Sequence, residues 1–285
     1  MSVSQYNSPR STGRGVHFYQ LPLLAIAGTA DRRKHLISIA CAVGILTFGF
    51  EMSGLRAEEI DNEREYRACM TEAVANPGAA YVKAVRWRDL GGGNAADHCA
   101  ASAKIGMGQY KDGAQHLEKL AQNGKVKTEL KAQLLGQAAQ GWLLADEPER
   151  AEASASAALA LVPNRPEFLI DRAQAMAARK NYGNALNDLD RAIALDSDRE
   201  DAFVFRATAK RFLDDLDGAM ADIKVALILD NNHVDGLLER GILHRLQNNK
   251  DAARRDWLLI LSLEPDSAAA VAAQKNLEFM DVKAQ

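Results

Sequence analysis

The sequence predicts an all-α protein, a superhelical solenoid of stacked helix–turn–helix units, and three regularities predict it. First, Ala151, Ala185, Ala219 and Ala253 follow one another at intervals of 34 residues. A fixed period of roughly 20–50 residues marks a stacked repeat architecture. Second, the apolar residues of each interval fall into two blocks at helical spacing. Between 166 and 199 the first block holds Phe168, Leu169, Ala173 and Met176, and the second holds Ala185, Leu186, Leu189, Ala192 and Ile193. Lys180, Asn181 and Tyr182 interrupt them, so each block reads as an amphipathic helix. Third, Arg172, Arg206 and Arg240 are each followed sixteen residues later by Asp188, Asp222 and Asp256.

Each element follows from these positions. Four residues after the alanines stand Ala155, Leu189, Ile223 and Trp257, one core position per unit. Twelve residues after them stand Pro163, Ser197, Asn231 and Pro265, residues that favour turns. The alanine is small because the two helices cross there, and a larger side chain would hold them apart. The recurring Arg and Asp predict an ion pair from first to second helix in three units. In the unit that starts at Ala132 the two places hold Ala138 and Ser154, so both charges are lost together. A pair that vanishes as a pair reads as architecture, not as an acid–base site.

The 34-residue unit, the early alanine of the second helix and the closing proline resemble the tetratricopeptide repeat. The resemblance implies a right-handed superhelix whose first helices line a concave side and which binds protein or peptide segments. It covers 132–267 as four regular units (132–165, 166–199, 200–233 and 234–267) and 58–131 as degenerate helical pairs. Members of that family that hold a partner's C-terminal carboxylate use a Lys and an Asn four residues apart on first helices. Those places here hold Ile170 and Gln174, Val204 and Thr208, and Leu238 and Ile242, so that clamp does not carry over.

Ahead of the repeats, residues 1–31 are polar and rich in Ser, Arg and Gly, and are expected to be disordered or to precede the true translation start. Arg32, Arg33 and Lys34 then introduce the apolar run Leu36 to Phe50, and polar residues follow up to Ala57. A basic flank, a 15-residue apolar core and a small final residue predict a secretory signal over 32–57, cleaved after Ala57. A membrane span needs about 20 residues, so a retained N-terminal anchor is the alternative. The expected location is the periplasm, or the inner membrane facing it. Removing 1–57 takes the formal charge from −3 to −7. An acidic surface without a basic stripe argues against nucleic acid and against anionic lipid.

Glu63 to Ala75 and Ala79 to Leu90 read as helices ended by Asn76-Pro77-Gly78 and by Gly91-Gly92-Gly93. No strand before the glycines and no Gly-Lys-Ser/Thr after them points to a phosphate loop. Asn94 to Lys127 forms a degenerate unit with Gly113 in the alanine's place, and Thr128 to Lys131 are four additional residues before the regular series. Cys69 and Cys99 would lie on neighbouring first helices. Export would let them form a disulfide across a loop worth roughly 3–4 kcal/mol; two buried thiols are the other reading. Ala268 to Phe279 reads as a terminal helix within a 268–285 cap and tail.

No catalytic constellation stands out, and no metal or cofactor site is expected. His98, His116, His233 and His244 are not paired at ligand spacing. Trp87, Trp142 and Trp257 sit at helical core positions. The expected function is that of an exported, non-catalytic scaffold or adaptor of the bacterial cell envelope, without a small-molecule substrate. It would hold a protein or peptide partner in a groove lined by Gln133, Gln140, Leu143, Ile170, Gln174, Val204, Thr208, Arg211, Leu238, Ile242 and Arg245. Apolar anchors and an acidic group would suit that mixture. The alternative is a membrane-anchored subunit of an envelope assembly that uses its convex face or its termini.

Overall fold

The computed structural model describes residues 62–282, so the segment 1–31 expected to be disordered, the signal expected over 32–57 and the last three residues lie outside the described residues. Among these, thirteen α-helices follow one another without a strand. They are α1 (Asn62–Ala75), α2 (Pro77–Trp87), α3 (Gly93–Gly106), α4 (Tyr110–Ala121), α5 (Thr128–Leu144), α6 (Pro148–Leu161) and α7 (Pro166–Ala178). The series continues with α8 (Tyr182–Leu195), α9 (Glu200–Phe212), α10 (Leu216–Leu229), α11 (Val234–Leu246), α12 (Lys250–Leu263) and α13 (Ala268–Val282). Each odd helix packs antiparallel against the even one after it, and each pair packs on the next, giving a superhelical stack. None of these helices is long and apolar enough to cross a membrane.

The alanine register sets how closely each pair approaches. Ala151, Ala185, Ala219 and Ala253 are all fully buried at the crossings, and Ala155, Leu189, Ile223 and Trp257 are buried one turn later. Gly113 takes the alanine's place in α4 because Ile105 of α3 presses on it; a Cβ there would meet Ile105 Cγ1 at 2.5 Å. Trp87, Trp142 and Trp257 are all buried. The turns inside the pairs share one conformation. Asp146, Lys180, Asp214 and Asn248, again 34 residues apart, all have φ between 59° and 67°, and Gly108 holds the same place after α3 with φ 78°. A left-handed residue after the helix ends it and lets its last carbonyls be bonded.

The expected ion pairs join first to second helix as bidentate bonds. Arg172 donates to Asp188 at 2.6 and 2.8 Å, Arg206 to Asp222 at 2.9 and 2.7 Å, and Arg240 to Asp256 at 2.9 and 2.6 Å. Where the pair is absent, Glu118 of α4 fills in. It accepts from the Trp142 indole N–H at 2.8 Å and from the Ser154 hydroxyl at 2.6 Å. Cys69 on α1 and Cys99 on α3 are joined as a disulfide, with their Cα atoms 6.1 Å apart.

Two expectations need adjustment. Thr128 to Lys131 are not a spacer; they form the first turn of α5, which runs to 17 residues where α7, α9 and α11 have 13. Val126 is buried beside Leu130 and Leu134, which explains why the turn adds to the helix instead of looping out. The second helix also starts earlier and stops sooner than its apolar pattern suggests. Pro77 begins α2 because Asn76 accepts a hydrogen bond from the Ala79 N–H (3.3 Å) and so caps it. Beyond Trp87 a π-turn spans Arg88–Gly92, and Gly91 at φ 98° makes a bend that L side chains resist.

Candidate interaction face

First helices pack directly on first helices: α5 on α7, α7 on α9, α9 on α11 and α11 on α13. Second helices stand further apart, so the stack curves towards the row α5–α7–α9–α11, which forms its inner side. Four side chains mark a line across that row, one per unit: Gln140, Gln174, Thr208 and Ile242. All four are half-buried. Gln140 donates to Asp171 Oδ1 at 3.3 Å, whereas no side-chain hydrogen bond holds Gln174 or Thr208 among the described residues. Gln133 and Leu143 are also half-buried, and Leu143 packs beside Trp142 and Ala175.

The expected apolar strip along this face is corrected by burial. Ile170 is 2% exposed and Val204 4%, because both sit between successive first helices inside the core. Leu238 and Ile242 are half-buried against the cluster that includes α13. Position along the helix decides this. A residue one step from the helix–helix seam is covered when the next unit arrives, which a single helical wheel does not reveal. The arginines are occupied as well. Arg211 donates through Nε and Nη2 to the buried Glu239 of α11 and lies 4.4 Å above the Phe212 ring. Arg245 lies 5.8 Å over the ring of Phe279 in α13.

Apart from Arg245, whose Nε is buried without a hydrogen-bond partner, the charges of this face are matched across units. Arg165 donates to Glu129 at 2.8 Å, and Arg199 reaches back to Glu167 at 3.5 Å while holding Asp201 through two bonds. Asp171 is buried in the middle of this ladder. Burial pushes its carboxyl up to about 7, against the hydrogen bond from Gln140 and the attraction of Arg199. Sequence reasoning passed over Asp171 and Glu239. The available signal was an acidic residue at the same place in two first helices, each directly before the recurring arginine.

The histidines fill structural roles. His98 is buried, and burial holds its pKa below the ordinary value, so the neutral ring accepts from Tyr66 (2.9 Å) and donates to Gln137 of α5 (2.7 Å). His233 caps α11, its Nδ1 accepting from the Gly236 N–H at 3.1 Å.

No family model matches the chain, and no curated protein matches it in sequence. Solved structures do match in fold. The Cut9–Hcn1 hetero-tetramer of the APC/C aligns with a TM-score of 0.61 at 14% identity, over 75% of this chain and 42% of that one. TTC0263, a thermophilic TPR protein of Thermus thermophilus, aligns with a TM-score of 0.56 at 16% identity, over 65% of this chain and 98% of that one. With the 34-residue register, the small residues at the crossings and the inner row of first helices in place, this chain has the fold of a tetratricopeptide-repeat solenoid.

Proposed function

We propose that the protein is an exported interaction scaffold that holds an extended polypeptide segment along its inner row of first helices. The line Gln140–Gln174–Thr208–Ile242 carries this reading. Amide and hydroxyl groups recur there in three successive units, and those of Gln174 and Thr208 have no side-chain hydrogen bond among the described residues. An extended segment presents alternating N–H and C=O groups, and each glutamine offers both a donor and an acceptor to meet them. Ile242 and Leu238 supply an apolar end where a side chain of the segment can anchor. Ile170 and Val204 act from beneath by fixing the spacing of the helices, and Arg211 and Arg245 border the row.

Support for export comes from the basic, apolar and small-residue pattern of 32–57 and from the Cys69–Cys99 bond, since disulfides persist in oxidising compartments. A mature chain beginning at Glu58 fits the soluble scaffold, and one that keeps Leu36 to Phe50 fits the membrane-anchored subunit. The binding reading is tested by placing a photocrosslinking residue at position 174 or 208 and irradiating cells. Polypeptide adducts are expected at both positions and should disappear when Gln140 is replaced by Ala together with the unlabelled member of the 174/208 pair. Adducts that form only from second-helix positions would reject the inner face.

A further inference from the structure

The second helices offer a different kind of site. On the outer side, each first-helix arginine faces the second helix of the preceding unit. Arg206 donates Nη1 to Asp190 of α8 at 2.7 Å, in addition to its two bonds to Asp222. Arg172 lies in the field of Glu152 of α6, four residues before the corresponding place. One unit further on, those two places hold Met220 and Lys224. Arg240 therefore keeps its bonds to Asp256 but has no second carboxylate among the described residues, and its side chain is 33% exposed where those of Arg172 and Arg206 are 21% and 18% exposed.

The missing carboxylate leaves space. Met220, Lys224, Leu227, Ile228 and Arg240 line a groove of about 260 Å³. Its walls are largely aliphatic, and Ile228 is 74% exposed where the preceding unit has Ala194. Two cations stand over an apolar floor. Lys224 has no ion pair among the described residues, and Arg240, which lines the same groove, bonds Asp256 through Nε and Nη2 and not through Nη1.

We propose that this groove binds a polypeptide segment carrying one carboxylate flanked by aliphatic side chains. The carboxylate takes the place on Arg240 Nη1 that Asp190 occupies on Arg206, with Lys224 as its second cation. The aliphatic neighbours cover Met220, Leu227 and Ile228. A neutral amide in the same place loses the charge-assisted bonds, which are roughly twice as strong as neutral ones. This site lies on the side of the stack opposite the Gln174–Thr208 line, so either can fail while the other stands.

The probe is a labelled, acetylated and amidated 12-residue peptide with a single Glu flanked by leucines at helical spacing, together with its Gln counterpart. Anisotropy titrations with the full chain should show the Gln peptide about tenfold weaker or more, the equivalent of about 1.4 kcal/mol. Lys224→Asp restores the in-chain carboxylate and should weaken the Glu peptide by at least about tenfold, and Lys224→Gln by less. Lys125→Gln, at an exposed lysine outside both sites, should leave the affinity of both peptides unchanged. Helicity by circular dichroism verifies that the exposed Lys224 variants are folded. Equal binding of the two peptides, unchanged binding by Lys224→Asp, or no binding at millimolar peptide would overturn the proposal. So would self-association of the chain that Lys224→Asp abolishes, because the groove would then be filled by a second copy.

Discussion

A Cβ on Gly241 would stand 2.7 Å from Cδ1 of the Trp257 indole, so these two residues divide one volume between them. In the other units the two equivalent places hold Ala139 and Ala155, Ala173 and Leu189, and Ala207 and Ile223. The last unit gives its large residue more room by giving up the methyl group opposite. Gly241→Ala should therefore destabilise the protein by about 2–3 kcal/mol through overpacking, despite alanine's better helix propensity. Adding Trp257→Leu, the residue of the 166–199 unit, should recover much of that loss. Urea unfolding of the two single variants and the double variant measures the coupling, and additive losses would show that the two positions do not share space.

The three Arg–Asp pairs should differ in worth although they look alike. Asp222 also lies 2.8 Å from Lys210, whereas the place of Lys210 is taken by Met176 near Asp188. Asp188 is buried, with a side chain only 6% exposed, so losing Arg172 strands it without a cation. Breaking a buried pair costs about 3–5 kcal/mol; partial exposure of Arg172 places Arg172→Gln near the lower end. Arg206→Gln should cost about half as much, because Lys210 remains beside the buried carboxylate. Near Asp256 the same place holds His244, 4.0 Å away. The Arg240 side chain is 33% exposed where that of Arg172 is 21% exposed, so Arg240→Gln should cost less than Arg172→Gln. Urea midpoints of the three variants measured at one pH rank these losses.

Lys180 adopts φ 62° in the turn between α7 and α8. A left-handed conformation costs an ordinary L residue roughly 1–2 kcal/mol, and Gly or Asn considerably less. Asn248 already meets the requirement at the equivalent turn, and Gly108 meets it in full. Lys180→Gly should therefore raise stability by about 0.5–1 kcal/mol, the remainder being lost to the greater freedom of glycine in the unfolded chain. Asn248→Gly should change it by a few tenths at most. A loss of stability in Lys180→Gly would mean that the lysine side chain makes a contribution the turn geometry does not explain.

The repeat, its helix pairs and its three ion pairs were legible because each rests on a periodic choice of residue type. The same arithmetic that aligns Ala185 with Ala219 aligns Arg172 with Arg206 and Asp188 with Asp222. What lay beyond it depends on contacts between units. Ile170 and Val204 have the same helical phase as groove residues, yet the arrival of α9 and α11 buries them. Glu239 looks solvated on its own helix and is covered only because Arg211 reaches across from α9. Glu118 entering the gap between Trp142 and Ser154 could not be foreseen either, since it comes from a helix outside the regular units.

Asp171 gives the inner row a dependence on pH. Its carboxyl ionises at 3.8 in the unfolded chain and at about 7 in the folded one, because burial opposes the charge more than Gln140 and Arg199 favour it, with Glu167 and Asp201 adding repulsion. Below the lower value both states are protonated, and the site is neutral to stability. Between the two values the unfolded chain has released the proton while the folded chain still holds it, so stability falls as pH rises. Above about 7 both states are ionised, and the loss levels off. At about 1.4 kcal/mol per unit of pKa difference the total is a few kcal/mol. Asp171→Asn keeps an oxygen for Gln140 and cannot ionise. It should be close to wild type at pH 4 and more stable by about 2 kcal/mol or more at pH 8. Urea midpoints of both proteins across that range test this, and parallel pH profiles would show that the Asp171 carboxyl titrates alike in the folded and unfolded chain.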